Sequence, residues 1–454
     1  MFPFPFPRSN ISPPPQPTPL LTGGGAADPG RQEPKRDRSL SPPLSSVGPR
    51  RNQDYHRFSS LSQNRPWINP ALKRIRFTPL KPHRYWIDAE DAPSLPSSKG
   101  DAIVMMSYNI LGDNNCMWHT ELYQNIPRNL MNWESRRRLI FVEISERNPD
   151  LVCLQEVDQV QDFLAYMKRR GYDGIHKGRS GDAKDGCAMF WKKARFRLLE
   201  EDSIDFSSFN LRNNVAQLLV LEEVQEGRQL VIGNIHVLFS PGRGDVKLGQ
   251  IRLLLERANY LSRTWGDIPI ILAGDFNSTP HSAIYEFLSS REIDVSLHNR
   301  LKMSGLDPMD SIPWRREYNW TEEELLNAVG DLEGTKVRSP LKLRSSYASV
   351  KGPSLTRGPK NEPLATTCHS KFVGTVDYLW YSSELACLRV LDTLPIHLLR
   401  QGGGLPSEEI GSDHLALVAE FAFVDYESKE SDNEDTKSND SYEASTELAS
   451  LSES

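Results

Sequence analysis

Ile268-Pro-Ile-Ile-Leu-Ala-Gly274-Asp275-Phe-Asn277-Ser-Thr-Pro280 is an apolar run that stops at two polar side chains two positions apart. So short a run of Ile and Leu reads as a buried strand rather than a helix. Gly274 is expected to break the run and Pro280 to close the following turn, which leaves Asp275 and Asn277 at the strand's carboxyl end. In open α/β sheets that end is where ligands bind.

The same form recurs along the chain. Ala102 to Leu111 is apolar up to Asn109, and Asp150 to Asp158 is apolar up to Glu156. Leu230 to Phe239 contains Asn234 and His236, which the period-two geometry of strands puts on one face, with Ile235 and Val237 on the other. Asp185 to Trp191, Val373 to Tyr381 with Asp377 inside it, and Leu415 to Phe423 just after Asp413 and His414 complete the set. Between these strands, Trp133 to Arg147 reads as a helix stopped by Pro149, and Asp245 to Arg263 as an amphipathic covering helix with no chemistry of its own. Strands alternating with helices predict one large α/β domain over residues 101–424.

The flanks differ in composition. Residues 1–65 are rich in Pro, Ser, Gly and Arg, and residues 425–454 are acidic and Ser-rich; neither has a core-forming pattern, so both are expected to be disordered tails, with 66–100 a linker. The basic groups Lys35, Arg36 and Arg38, and Arg50 with Arg51, fit a solvated tail, a nuclear address or an RNA-touching arm. Residues 300–360 show mixed charge and little periodicity; apart from a capping-box sequence at Thr321-Glu-Glu-Glu324 they read as a mobile insertion.

The net charge of −6 over 454 residues does not announce a nucleic-acid binder, although a basic cleft can sit inside an acidic protein. The five cysteines include no close-set pair of the kind zinc sites use, and Cys153 and Cys187 read as small core residues of a reducing compartment. No apolar run reaches the ~18 residues of a membrane span, and the N-terminus lacks a secretory h-region. The expected setting is therefore cytoplasm, nucleus or both, with no membrane partner.

Any one Asp, Asn or His at a strand end is the ordinary mark of a cap, a turn or a hydrogen-bonded structural side chain. Several such interruptions of apolar runs point instead to one shared cleft. Carboxylates and amides without a cysteine cluster suit a hard cation such as magnesium, which completes its shell from waters and a substrate phosphate. Glu156 is then the direct ligand with Asn109 beside it, and Asp413 is placed to hold a second ion ~4 Å away. Asp275 takes a proton from the attacking water, Asn277 holds that water in line, and His414 paired with Asp377 stays protonated and donates to the phosphate.

Ser107-Tyr-Asn109-Ile-Leu111, Leu154-Gln-Glu156-Val, Asp185-Gly-Cys-Ala-Met-Phe190, Asn234-Ile-His236, Gly274-Asp275-Phe-Asn277-Ser, Val376-Asp377-Tyr and Ser412-Asp413-His414 resemble the ordered motifs of the endonuclease/exonuclease/phosphatase superfamily. Glu134-Ser-Arg136-Arg137, the His236 to Pro241 segment and Pro406-Ser-Glu-Glu-Ile-Gly-Ser-Asp-His414 are most similar to the carbon catabolite repressor four deadenylases and their relatives nocturnin and angel, plant homologues included. The resemblance implies a four-layer α/β sandwich of two packed mixed sheets flanked by helices. It also implies two magnesium ions and 3′-to-5′ hydrolysis of a poly(A) tail to AMP. It adds Asn234, His236, Pro241 and Phe372 as substrate contacts, with proline and aromatic faces stacking on adenine. No leucine-rich repeat precedes Asp101, so docking to a deadenylase complex lacks its usual arm. A nucleotide 2′- or 3′-phosphatase of the same fold and a catalytically silent RNA-binding scaffold are the competing expectations.

Overall fold

The structure is a computed structural model that describes residues 83–90, 102–306 and 320–424; the expected tails lie outside the described residues, as does most of the linker. In chain order the first strands are β1 (Trp86–Asp88), β2 (Ile103–Asn109), β3 (Leu151–Gln155), β4 (Tyr172–Gly178) and β5 (Gly186–Lys192). There follow β6 (Phe196–Asp205), β7 (Val215–Glu223), β8 (Gln229–His236), β9 (Ile270–Asp275), β10 (Glu292–Asp294), β11 (Lys336–Arg338) and β12 (Arg344–Ser345). The last are β13 (Thr367–His369), β14 (Phe372–Gly374), β15 (Asp377–Tyr381), β16 (Leu385–Leu391) and β17 (Leu417–Phe423). The helices that position the site are α1 (Asp113–Trp118), α2 (Arg128–Met131), α3 (Trp133–Arg147), α4 (Val160–Arg169), α5 (Gly244–Thr264), α6 (Ala283–Ser290), α7 (Glu322–Val329) and α8 (Ser346–Ser349).

Two mixed sheets form the centre, one in the order β1-β16-β17-β2-β3-β5-β4 and the other β12-β15-β9-β8-β7-β6. Strand alternation explains how they stack. In β9, Ile271 and Ala273 enter a core shared with Met105, Cys153 and Leu417 of the first sheet, while Ile270 and Leu272 face α5 and α6. In β2, Met105 joins that shared core and Met106 packs outward with Ile140 and Ile144 of α3 and Phe163 of α4. Both faces of both sheets are thus covered, which is why the strands read as continuous apolar runs. The result is the expected four-layer sandwich.

Each sheet has one parallel pair, β2 with β3 and β8 with β9. Their carboxyl ends carry Asn109 beside Gln155 and His236 beside Asp275, and antiparallel β15 brings Asp377 opposite Asp275. Gly274 does not break its strand. It lies inside β9 at φ +148°, and a Cβ there would stand 2.0 Å from the Ile235 carbonyl, so the residue permits the close approach of β8 and β9.

The linker carries structure that the sequence reading left out, and so does the insertion beyond its expected capping box. Trp86–Asp88 pairs with β16, and Arg84 before it is buried, donating to the carbonyls of Asp392 (2.8 Å) and Ala416 (2.7 Å). The described part of 300–360 is not an irregular loop. Thr321 and Glu324 form the capping box that opens α7, Asn327 of α7 donates to Asp245 of α5 (3.0 Å), β11 pairs with β10, and β12 extends the second sheet. The following loop is pinned by Asn361, whose Nδ2 donates to the Ala348 and Val350 carbonyls at 2.9 Å, and by the buried Arg357–Asp392 pair. All five cysteines are buried and unpaired, and among the described residues no helix is long and apolar enough to cross a membrane.

Glu362 closes this loop over α6, accepting from the Tyr285 hydroxyl at 2.9 Å. Burial pushes its carboxyl up to about 7. A folded value above the unfolded one means that stability is complete below the ordinary value of 4.5 and is lost as pH rises through about 7, a deficit of about 3 kcal/mol above that range. Glu362→Gln removes the titration while keeping an acceptor for Tyr285. Thermal unfolding should therefore show the variant melting several degrees above wild type near about pH 8 and no higher than wild type near about pH 5; parallel melting curves at both pH values would contradict the assignment.

Candidate active site

The β2 tip is fixed by Arg136 of α3, which has no exposed surface and donates to the carbonyls of Leu111 (2.7 Å) and Ile110 (3.2 Å). Asn109 is thereby held with its oxygen accepting from Leu111 N and its Nδ2 donating to both Glu156 Oε1 and Asp275 Oδ2, each at 3.1 Å. One amide therefore bridges two carboxylates from different sheets. Glu156 sits just past β3 in a left-handed conformation, φ +61°, an unusual posture for a residue with a Cβ and one that turns its carboxylate into the cleft. Its Oε2 accepts from Gly112 N (3.0 Å) and Asn115 Nδ2 (2.8 Å).

From the second sheet, Asp275 Oδ1 accepts from Asn277 N at 2.8 Å. His236 Nε2 lies 3.7 Å from Asp275 Oδ2 and 4.0 Å from Glu156 Oε1, and its Nδ1 is buried without a partner. His414 Nδ1 donates to Asp377 Oδ2 at 2.9 Å, and the same carboxylate receives the Thr366 hydroxyl at 2.5 Å. His414 Nε2 is left 3.9 Å from Asp275 Oδ2. Burial and the Asp377 charge raise the Asp275 carboxyl above its ordinary range, against the pull of His414 and His236. Burial disfavours an imidazolium at His414, but Asp377, Asp413 and Asp275 outweigh it and hold its pKa well above the usual histidine range.

Glu156, Asn109, His236, Asp275, Asp377 and His414 are thus brought together, and Asn277 lies one turn beyond. Asn277 is also left-handed, φ +45°, and its Nδ2 donates to the Val237 carbonyl at 3.0 Å. Asp413 follows a different course: its carboxylate accepts from the Tyr123 hydroxyl at 2.8 Å, and no hydrogen bond among the described residues links it to the other acids. Pro241 is anchored through its carbonyl by Ser304, and the Phe372 ring stands 6.2 Å from the His369 ring; among the described residues no hydrogen bond or ring contact links either to the acidic cluster.

Asn234 requires a correction. It has no exposed surface, its Oδ1 accepts from Gln155 Nε2 (2.8 Å), and its Nδ2 donates to the carbonyls of Leu154 and Ala188. It shares the face of His236, as strand geometry requires, but that face is the contact between the two sheets. Asn234 is a clamp between layers and has no group left for a substrate.

Sequence reading also missed Lys247. The helix α5, read as a cover without chemistry, buries this lysine completely and aims Nζ at the Asn277 carbonyl, 2.7 Å away. Burial pulls the ammonium down to about 7 despite the Asp275 charge. A lysine on a helix otherwise signals solvent; this one shares the sheet-facing stripe of α5 with Ile251, Leu254 and Ala258, all fully buried. Thr366 and Asn115 carried no sequence signal, because lone polar residues in loops are common.

The ligand atoms of Asp275, Asp377 and His414 lie within 4.8 Å of one another. His414, however, is committed to Asp377 and protonated by its surroundings, which makes it a donor. The remaining oxygens, with the Glu156 carboxylate foremost, fit a hard divalent cation, and no thiol is present to favour a soft one.

Residues 106–414 match the Endonuclease/Exonuclease/phosphatase family. The chain is 47% identical over 383 residues to carbon catabolite repressor protein 4 homolog 3 of Arabidopsis thaliana, covering 80% of this chain and 85% of that one. It is 27% identical over 411 residues to the CCR4-Not complex 3′-5′-exoribonuclease subunit Ccr4 of Phaeosphaeria nodorum, covering 75% and 62%. A solved structure of ANGEL2, described as a 2′,3′-cyclic phosphatase in complex with adenosine-2′,3′-vanadate, is similar with a TM-score of 0.63 at 29% identity, covering 75% of this chain and 98% of that chain. With its polar strand tips gathered into one acidic cleft and most of its length matched, the chain belongs to the Endonuclease/Exonuclease/phosphatase family.

Proposed function

We propose that this chain is a magnesium-dependent 3′-5′ exoribonuclease that shortens poly(A) ends to AMP, working in the cytoplasm, the nucleus or both. The observation that carries the reading is a protonated His414–Asp377 pair facing Asp275 across 3.9 Å, with Glu156 joined to Asp275 through Asn109. That pairing sets a proton donor and a proton acceptor side by side, the two groups that phosphoryl transfer to water requires. The resemblance to carbon catabolite repressor protein 4 homolog 3 and to an exoribonuclease subunit supports RNA as the substrate.

Asp275, with its pKa raised, accepts the proton of the attacking water. The free Asn277 Oδ1 accepts the water's other hydrogen and fixes its direction. His414 donates Nε2–H to a non-bridging phosphoryl oxygen as charge builds there, while Asp377 and Thr366 keep its ring oriented. A divalent cation held by Glu156 supplies Lewis-acid charge for the phosphoryl and leaving oxygens when bound. His236, between Glu156 and Asp275, lowers the cost of placing two carboxylates so close.

A second reading, opening of a 2′,3′-cyclic phosphate, is favoured by the likeness to ANGEL2. The two are separated by incubating the full chain and Asp275→Asn with magnesium and 5′-labelled RNA ending in a run of adenosines, alongside adenosine 2′,3′-cyclic phosphate. We expect laddered shortening by wild type and a loss of about a hundredfold or more in the variant. RNA left intact while the cyclic phosphate is opened would replace the first reading with the second. Lys247→Met is expected to melt within a few degrees of wild type, since an apolar side chain replaces a desolvated cation, while kcat falls about tenfold to a hundredfold with KM little changed because the Asn277 turn loses its anchor. An unchanged kcat would show that the ammonium does not position that turn.

A further inference from the structure

The cleft mouth carries a patch of apolar side chains that the catalytic chemistry does not use. Trp118 and Met117, at the end of α1, are 63% and 60% exposed, and Phe239, three residues past His236, is 51% exposed. They come from different sheets' loops, and His119, next to Trp118 in the chain, brings its ring to 6.3 Å from the Phe239 ring. Both ends are rooted in the site, because Gly112 and Asn115 at the start of α1 bond Glu156 while Phe239 follows the strand that carries His236. On its other flank the α1 segment joins the β13–β14 hairpin, where Ser370 N and Oγ donate to the carbonyls of Leu122 (3.1 Å) and Glu121 (3.3 Å). That hairpin presents the exposed Lys371 beside Phe372.

The rim therefore sets Phe239 beside His119, with Trp118 next in the chain, and carries Lys371 and Phe372 on the other flank of the α1 segment. Aromatic faces with a cation among them, leading to a phosphodiester site, match single-stranded nucleic acid, in which every base offers a π face and every linkage a charge. Glu121, an acid beside the rim, lies with its carboxylate 3.5 Å from His119 Nδ1. We infer that Trp118 and Phe239 form a stacking rim for nucleotides upstream of the scissile linkage of a single-stranded RNA, with Lys371 facing their phosphates; this rests on the exoribonuclease reading. Such a rim makes affinity grow with substrate length and not with sequence, because stacking tolerates every base.

The test is fluorescence anisotropy of the full chain, with hydrolysis blocked by chelation, on a labelled adenosine dinucleotide and an oligoadenylate of about ten residues. Trp118→Ala with Phe239→Ala should weaken binding of the longer RNA about tenfold and flatten the length dependence, and Trp118→Phe with Phe239→Tyr should restore it. Both positions are exposed, so the fold is not at stake. An unchanged ratio of the two affinities would overturn the inference and leave the patch to a protein partner. The nuclease reading is judged separately: wild-type protein that binds the longer RNA through this rim yet leaves it uncut with magnesium would sink that reading alone.

Discussion

The Asn109 amide, held between Glu156 and Asp275, is the contact on which the site depends. Two carboxylates from separate sheets repel each other, and burying either without a partner costs several kcal/mol. Asn109 donates to both from one nitrogen, and His236 stands between the same two oxygens. Behind this bridge, Gln155 and Asn234 tie the sheets together, so the separation of the two halves is set by buried hydrogen bonds and not by loops. Geometry carried by strand ends is stiffer than geometry carried by loops, which suits a reaction that requires donor, acceptor and water in line.

Much of this was legible because burial of a polar group is costly. Asn109, Glu156, Asp275 and Asp377 each border an apolar strand, and a polar residue in that position needs a reason. What could not be read was destination. Period-two alternation put Asn234 on the same face as His236, yet whether that face meets substrate or another sheet depends on how the sheets stack. Lys247 was invisible for a similar reason: it falls on the stripe of α5 that holds Ile251 and Leu254, and whether its ammonium meets a carbonyl there depends on how α5 lies against the end of β9. Strands such as β4 and β6 escaped because they lie at sheet edges, where charged and apolar residues mix.

The chemistry is divided between the sheets. The first carries Glu156 and, ahead of β17, His414; the second carries Asp275 and Asp377, whose carboxylate orients the histidine. Under the proposed exoribonuclease reading, water would reach the phosphorus from the Asp275 side and the leaving oxygen depart on the other, in a single displacement with no covalent enzyme intermediate. The most direct measurement is the stereochemical course at phosphorus, followed with a chiral phosphorothioate linkage at the 3′ end of an oligoadenylate and isotopically labelled water. The account predicts inversion of configuration in the released nucleotide; retention would mean two displacements through a protein nucleophile and would contradict it.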